Sequence, residues 1–169
     1  MIAFLAFIII GLSIAYHDFN KRIIYLWEII GIGGLVLIDG WIKIPFDQLL
    51  QHWFTNGCYL LVLGLFLFVY LWLKTGNRKV ALQDYLGLGD LLFFGVISAA
   101  FSPWSFMLYF ISCCLIGVLY GIRQQALKVE QASIPFAGVA ALVFLCLLGL
   151  EWWTDWERYE PYLPTSFSR

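Results

Sequence analysis

Two aspartates, Asp18 and Asp90, have the setting that hydrolytic chemistry needs. Asp18 follows the apolar run that opens the sequence. Asp90 heads another, inside Tyr85-Leu86-Gly87-Leu88-Gly89-Asp90-Leu91-Leu92-Phe93-Phe94. An acid in a membrane helix costs about 2.5–3.5 kcal/mol on insertion scales, so it usually has a function or a partner. Two carboxylates that share a site cannot both ionise easily, and the pair holds one proton between them. One can take a proton from water while the other polarises a scissile carbonyl. That is general acid–base hydrolysis of a peptide bond, with no metal and no covalent intermediate. Gly87 and Gly89 remove side chains ahead of Asp90 and let another helix approach.

Each candidate also has a structural reading. Asp18 is close to Lys21 and Arg22, and Asp90 begins a helix, where negative charge is favoured. Glu28, inside the second apolar segment, could line a substrate groove or pair with a loop cation. His17 could tune its neighbour Asp18, since histidine titrates near neutral pH, or could be an interfacial residue. Cys58, Cys113, Cys114 and Cys146 lie in apolar segments with no Cys-x-x-Cys pair. They read as packing residues rather than zinc ligands or disulfides.

The elements that must position these residues are apolar. Of 169 residues, 62% are hydrophobic and 12% charged, and the mean hydropathy is +0.85. Soluble domains carry about 25% charged residues, so an ordinary soluble domain is excluded. The expected fold is all-α, a polytopic bundle of six transmembrane helices. They are placed at residues 1–16 (running on through His17 and Asp18), 23–38, 54–73, 86–101, 104–122 and 134–150. Asp39-Gly40 is expected to end the second, and residues 41–53 to form a loop or interfacial piece. Pro135 suits the first turn of the sixth. Gly31, Gly33, Gly34, Gly64, Gly117 and Gly121 read as helix-packing positions. Residues 1–150 form the membrane domain. Residues 151–169, rich in Trp, Tyr and acids, read as an interfacial aromatic belt with an exposed, extracytoplasmic end.

Charge placement gives the orientation. No basic residue precedes the first apolar run and no cleavage site follows it, so it reads as a retained helix. Lys21, Arg22, Lys74, Arg78, Lys79, Arg123 and Lys128, seven of the ten basic residues, fall in alternate loops. Lys43, Arg158 and Arg169 fall on the opposite side. The positive-inside rule then puts both termini outside. Asp18 and Asp90 come to the cytoplasmic boundary, where water is at hand.

Three segments resemble a known family. Gly87-Leu88-Gly89-Asp90 resembles the Gly-x-Gly-Asp motif of the type IV prepilin peptidases, which the presenilin-like aspartyl proteases share. Asp18-Phe19-Asn20-Lys21-Arg22-Ile23-Ile24-Tyr25 resembles the segment that carries their first catalytic aspartate. Ile134-Pro135-Phe136-Ala137-Gly138 resembles the Ile-Pro-Phe-Gly motif that opens their last helix. The motifs fall in family order across nearly the whole chain, at the length of short members without an N-terminal cytoplasmic domain.

The resemblance implies that Asp18 and Asp90 are the catalytic dyad of an aspartic endopeptidase of the bacterial inner membrane. Its substrates would be prepilins or pseudopilins of a type IV pilus or type II secretion system. They would be cleaved at the cytoplasmic face, after a Gly that precedes the pilin's apolar helix, with no cofactor and no nucleic acid. Motif residues Gly87, Gly89, Pro135 and Phe136, with Glu28, are the candidates for the substrate groove. Asp84 and Glu130 could attract a basic leader. Two positions depart from the pattern: Tyr25 stands where the family usually has Pro, and Leu92 where many members have Lys. The competing readings are a small transporter with Asp18, Glu28 and Asp90 as a proton relay, or a catalytically silent assembly factor. A relay needs polar groups through the membrane thickness, whereas both aspartates cluster at one face.

Overall fold

The computed structural model describes residues 2–75, 87–127, 134–154 and 158–159. Arg78, Lys79, Asp84, Lys128, Glu130 and Arg169 lie outside the described residues. Among those described, all regular secondary structure is helical. The helices are α1 (Ile2–Lys21), α2 (Leu26–Lys43), α3 (Phe46–Thr75), α4 (Leu88–Ile97), α5 (Pro103–Ala126) and α6 (Phe136–Trp153), with a 3-10 turn at Ser98–Ala100. Four of them, α1, α3, α5 and α6, are long and apolar enough to cross a membrane. Within its 18 residues α2 carries Glu28, Asp39 and Lys43, and α4 has only 10 residues.

Many large apolar side chains point outward. On α3, Phe54, Leu61, Phe66 and Leu73 are 71–76% exposed, which suits contact with lipid rather than water. The inner side is aromatic. Phe94 and Phe136 lie 5.2 Å apart between ring centroids, Phe101 stacks on Tyr109 at 4.9 Å, and Phe7 meets Phe144 edge-on. Tyr109 satisfies its buried hydroxyl by donating to the Ala140 carbonyl at 2.9 Å, which ties α5 to α6.

The joint between α2 and α3 corrects the expected one. Asp39-Gly40 does not end α2, and residues 41–53 are mostly helix rather than loop. The stop is Pro45. It forces Ile44 into an extended conformation (φ −135°, ψ 156°), and α3 begins at the next residue. Gly40 serves a contact instead, because a Cβ there would come within 2.7 Å of Leu49.

In the tail, Trp152 and Trp153 are exposed, as a belt would be, but two later residues turn inward. Arg158 and Tyr159 are buried, at 1% and 2% exposure, and the Arg158 carbonyl accepts from Ser102 N–H at 2.9 Å. Arg158 pairs with Asp39 and, at 3.2 Å, with Glu151; Lys43 joins Glu151 at 2.6 Å. Its guanidinium also lies over the Phe7, Phe144 and Tyr159 rings. Phe4 stacks on Trp152 at this same end.

Of the packing glycines, Gly31, Gly33, Gly117 and Gly121 lie under Ile10, Val96, Phe136 and Ile134, whereas Gly34 and Gly64 face open space. Cys113 is buried, and Cys58 and Cys146 face outward.

Candidate active site

The opposite end of the bundle holds both aspartates. α1 packs most extensively on α6, and α4 also reaches α6. Helix α1 runs past Asp18 to Lys21, further than expected. Arg22 then closes it in the left-handed region (φ 56°), with its N–H returned to the Asp18 carbonyl at 3.1 Å. This leaves the Asp18 side chain on the inner face, 6% exposed. Asp90 is the third residue of α4, behind the N-cap Gly87, and is partly buried.

The two carboxylates meet at the start of α6. The Gly138 N–H donates to Asp18 Oδ2 at 2.6 Å, and the Ala137 N–H donates to Asp90 Oδ1 at 3.1 Å. These amides belong to consecutive residues in the first turn of α6, whose N-cap is Pro135. First-turn amides have no partner within their own helix, and the helix dipole favours negative charge there. One helix N-terminus therefore holds two acids from distant parts of the chain side by side. Each keeps one carboxylate oxygen that these amides do not occupy.

Three glycines make this approach possible. A Cβ at Gly138 would come within 2.9 Å of the Phe19 ring and 3.1 Å of Asp18 Oδ2. A Cβ at Gly87 would come within 2.8 Å of Asp90 Oδ2, and one at Gly89 within 3.1 Å of Ile24.

Asp90 sits in the wall of an open groove of about 360 Å³ between α3 and the packed edge of α4, α5 and α6. Gly87, Asp90, Leu91, Phe94, Phe110 and Phe136 form one side, and Leu60, Leu63, Gly64 and Leu67 the other. A second hollow of about 550 Å³, lined by Trp53, Gly57 and Gly95 among others, shares Leu60 and Leu91 with the first. Together they make an apolar track along α3 and α4 that ends at Asp90.

The candidates from the sequence thus divide. Asp18 and Asp90 come together, and Gly87 and Phe136 line the groove. Gly89 faces Ile24, and Pro135 is buried as the α6 N-cap. Glu28 lies away from the groove, fully buried, where it accepts from Ser13 Oγ and Tyr25 N–H and meets His17. His17 thus turns to Glu28 rather than to its neighbour Asp18. The Ala137 and Gly138 amides are not legible in the sequence, because backbone donors leave no mark there beyond the glycine that admits the acid. Among the described residues no three His, Cys, Asp or Glu side chains gather to hold a metal ion. No protein-family model, curated protein or solved structure matches the chain.

Proposed function

We propose that this chain is an aspartic endopeptidase of the prepilin peptidase kind. It removes the leader of a pilin-like protein at the cytoplasmic face of the bacterial inner membrane. The observation that carries the reading is the seating of Asp18 and Asp90 on the neighbouring amides of Gly138 and Ala137. Such a pair shares a proton. The ionised member takes a proton from the attacking water, and the protonated member donates to the scissile carbonyl. The amides hold the carboxylates in place while their free oxygens act. The apolar track along α3 and α4 suits the apolar helix of the substrate, and it delivers the peptide beside that helix to Asp90.

In this reading all six helices cross the membrane, with both termini outside. The acids of α2 are compatible with that, because each is paired: Glu28 with Ser13, His17 and Tyr25, and Asp39 with Arg158 and Lys43. Lys21, Arg22 and Arg123 fall at the end of the bundle that holds the aspartates, as a cytoplasmic site requires.

The test is co-expression with pilin-like proteins of the same genome, comparing wild type with Asp18→Asn and Asp90→Asn on a blot that follows leader loss. Cleavage by wild type and its abolition by either substitution, with the protein still in the membrane, is the expected result. Cleavage that survives both substitutions overturns the reading.

A further inference from the structure

Glu28 is fully buried, yet its two oxygens serve three groups. Oε1 accepts from Ser13 Oγ at 2.5 Å and lies 2.7 Å from His17 Nδ1; Oε2 accepts from Tyr25 N–H at 3.0 Å. Ser13 and His17 are one turn apart on α1, and Tyr25 caps α2. A single carboxylate thus ties the last turns of α1 to the first turn of α2, across residues 22–25. An acid buried in an apolar bundle is retained only when its hydrogen bonds are satisfied.

The segment it ties touches the candidate site twice. His17 directly precedes Asp18, so the rotation that brings His17 to Glu28 also sets the direction of the Asp18 side chain toward Gly138. Ile24, inside the 22–25 turn, packs on Gly89, the residue before Asp90. The geometry points to Glu28 as a positioning residue for both aspartates, acting through Ser13 and His17 on one side and the Ile24 turn on the other. This rests on the proposed peptidase reading, but its geometric half does not depend on it.

The chemistry of the cluster supplies a signature that mere packing would not. Tyr25 N–H can only donate, so in Glu28→Gln the amide oxygen must face Tyr25 and the NH₂ group must face Ser13 and His17. His17 Nδ1 can then take part only as an acceptor, in the neutral ring with its proton on Nε2. The groups around His17 are Ser13 and the Tyr16 ring on α1, and Glu28 and the Tyr25 ring at the start of α2. Glu28→Gln should therefore support the site, because it can keep a hydrogen bond to each of the three groups, whereas Glu28→Ala keeps none.

The experiment uses the full chain in lipid nanodiscs, with native cysteines replaced, and has two arms. In the first, the pair Asp18→Cys and Asp90→Cys is oxidised at pH 8 in three backgrounds: unaltered Glu28, Glu28→Gln and Glu28→Ala. Efficient cross-linking in the first two backgrounds, and a large loss of rate in Glu28→Ala, is expected. Equal rates in all three overturn the proposal whether or not the chain cleaves anything. In the second, cleavage of a pilin-like precursor processed by wild type is followed at pH 8. Glu28→Ala should lose kcat by roughly a hundredfold, the scale set by a misplacement of about 1 Å, with KM held. Glu28→Gln should keep most of the wild-type kcat. If Glu28→Ala does not fold, Ser13→Ala combined with His17→Phe takes its place by removing the α1 partners of Glu28, and an unchanged cross-linking rate in that variant overturns the proposal. Failure of wild type to cleave counts against the peptidase reading alone, since the first arm still reports on Glu28.

Discussion

Gly87 lies beneath the carboxylate of Asp90: a Cβ at position 87 would come to 2.8 Å from Asp90 Oδ2. The backbone of Gly87 (φ −64°, ψ 119°) is open to any residue, so glycine here answers to space and not to conformation. The motif's first glycine is thereby tied to its aspartate by contact, three positions along the same helix start.

Gly87→Ala therefore displaces the acid without straining the chain. Under the proposed function, leader cleavage falls by roughly a hundredfold, as a 1 Å misplacement of a reacting group would cause. Thermal unfolding in detergent stays near wild type. Cleavage at the wild-type rate would show that the Asp90 carboxylate has room to move away.

Gly138→Ala acts on the other acid, with a second effect. The new methyl meets both the Phe19 ring and Asp18 Oδ2. Overpacking of this kind costs about 1–3 kcal/mol, so both stability and cleavage fall. Adding Phe19→Ala removes the ring from the clash but leaves the carboxylate displaced. The double variant should lose less to overpacking and still cleave poorly. Full recovery of cleavage in it would mean that Phe19, not Asp18, is what Gly138 accommodates.

Arg22 closes α1 at φ 56°, a conformation that costs a residue with a side chain about 1–2 kcal/mol. Branching at Cβ makes it worse. Arg22→Val should lower thermal stability relative to Arg22→Gly, and Arg22→Gly should keep the α1 end in place. Equal stability of the two variants would mean that the turn relaxes to negative φ. Because Asp18 O accepts the Arg22 N–H, such a relaxation would also disturb the end of α1.

What the sequence disclosed follows from the range of the forces involved. Asp18 and Asp90 were legible because an acid in an apolar run stands out by local contrast, and the long apolar helices were legible by length. The α2–α3 joint is not legible in this way, because Asp39-Gly40 looks like a stop by local turn chemistry yet lies inside α2. Its true partners, Leu49 for Gly40 and Arg158 for Asp39, are tertiary. Pro45 was visible and was the real breaker. Glu28 belongs between these cases. Its donors Ser13 and His17 have the i, i+4 spacing of one helix face, a signal that could have been noticed. Only the pairing of α1 with α2 turns that spacing into a buried cluster.

The far end of the bundle supplies the last prediction. Arg158 is 1% exposed, and its charge is balanced by Asp39 and Glu151 over the rings of Phe7, Phe144 and Tyr159. The Tyr159 hydroxyl also donates to Asp39 Oδ2, at 3.3 Å. Asp39→Ala removes the carboxylate these groups share and leaves a buried cation with Glu151 alone. Breaking a buried pair from one side costs about 3–5 kcal/mol, and the remaining Glu151 places this case at the lower end. The expected result is a clear drop in unfolding temperature, with the peptide bonds at Arg158 and Tyr159 becoming sensitive to protease. Asp39→Ala combined with Arg158→Met removes both charges and keeps an apolar side chain among the rings, so much of the loss should be recovered. If the single variant is as stable as wild type, the Asp39–Arg158 pair does not hold Arg158 and Tyr159 against α1 and α6.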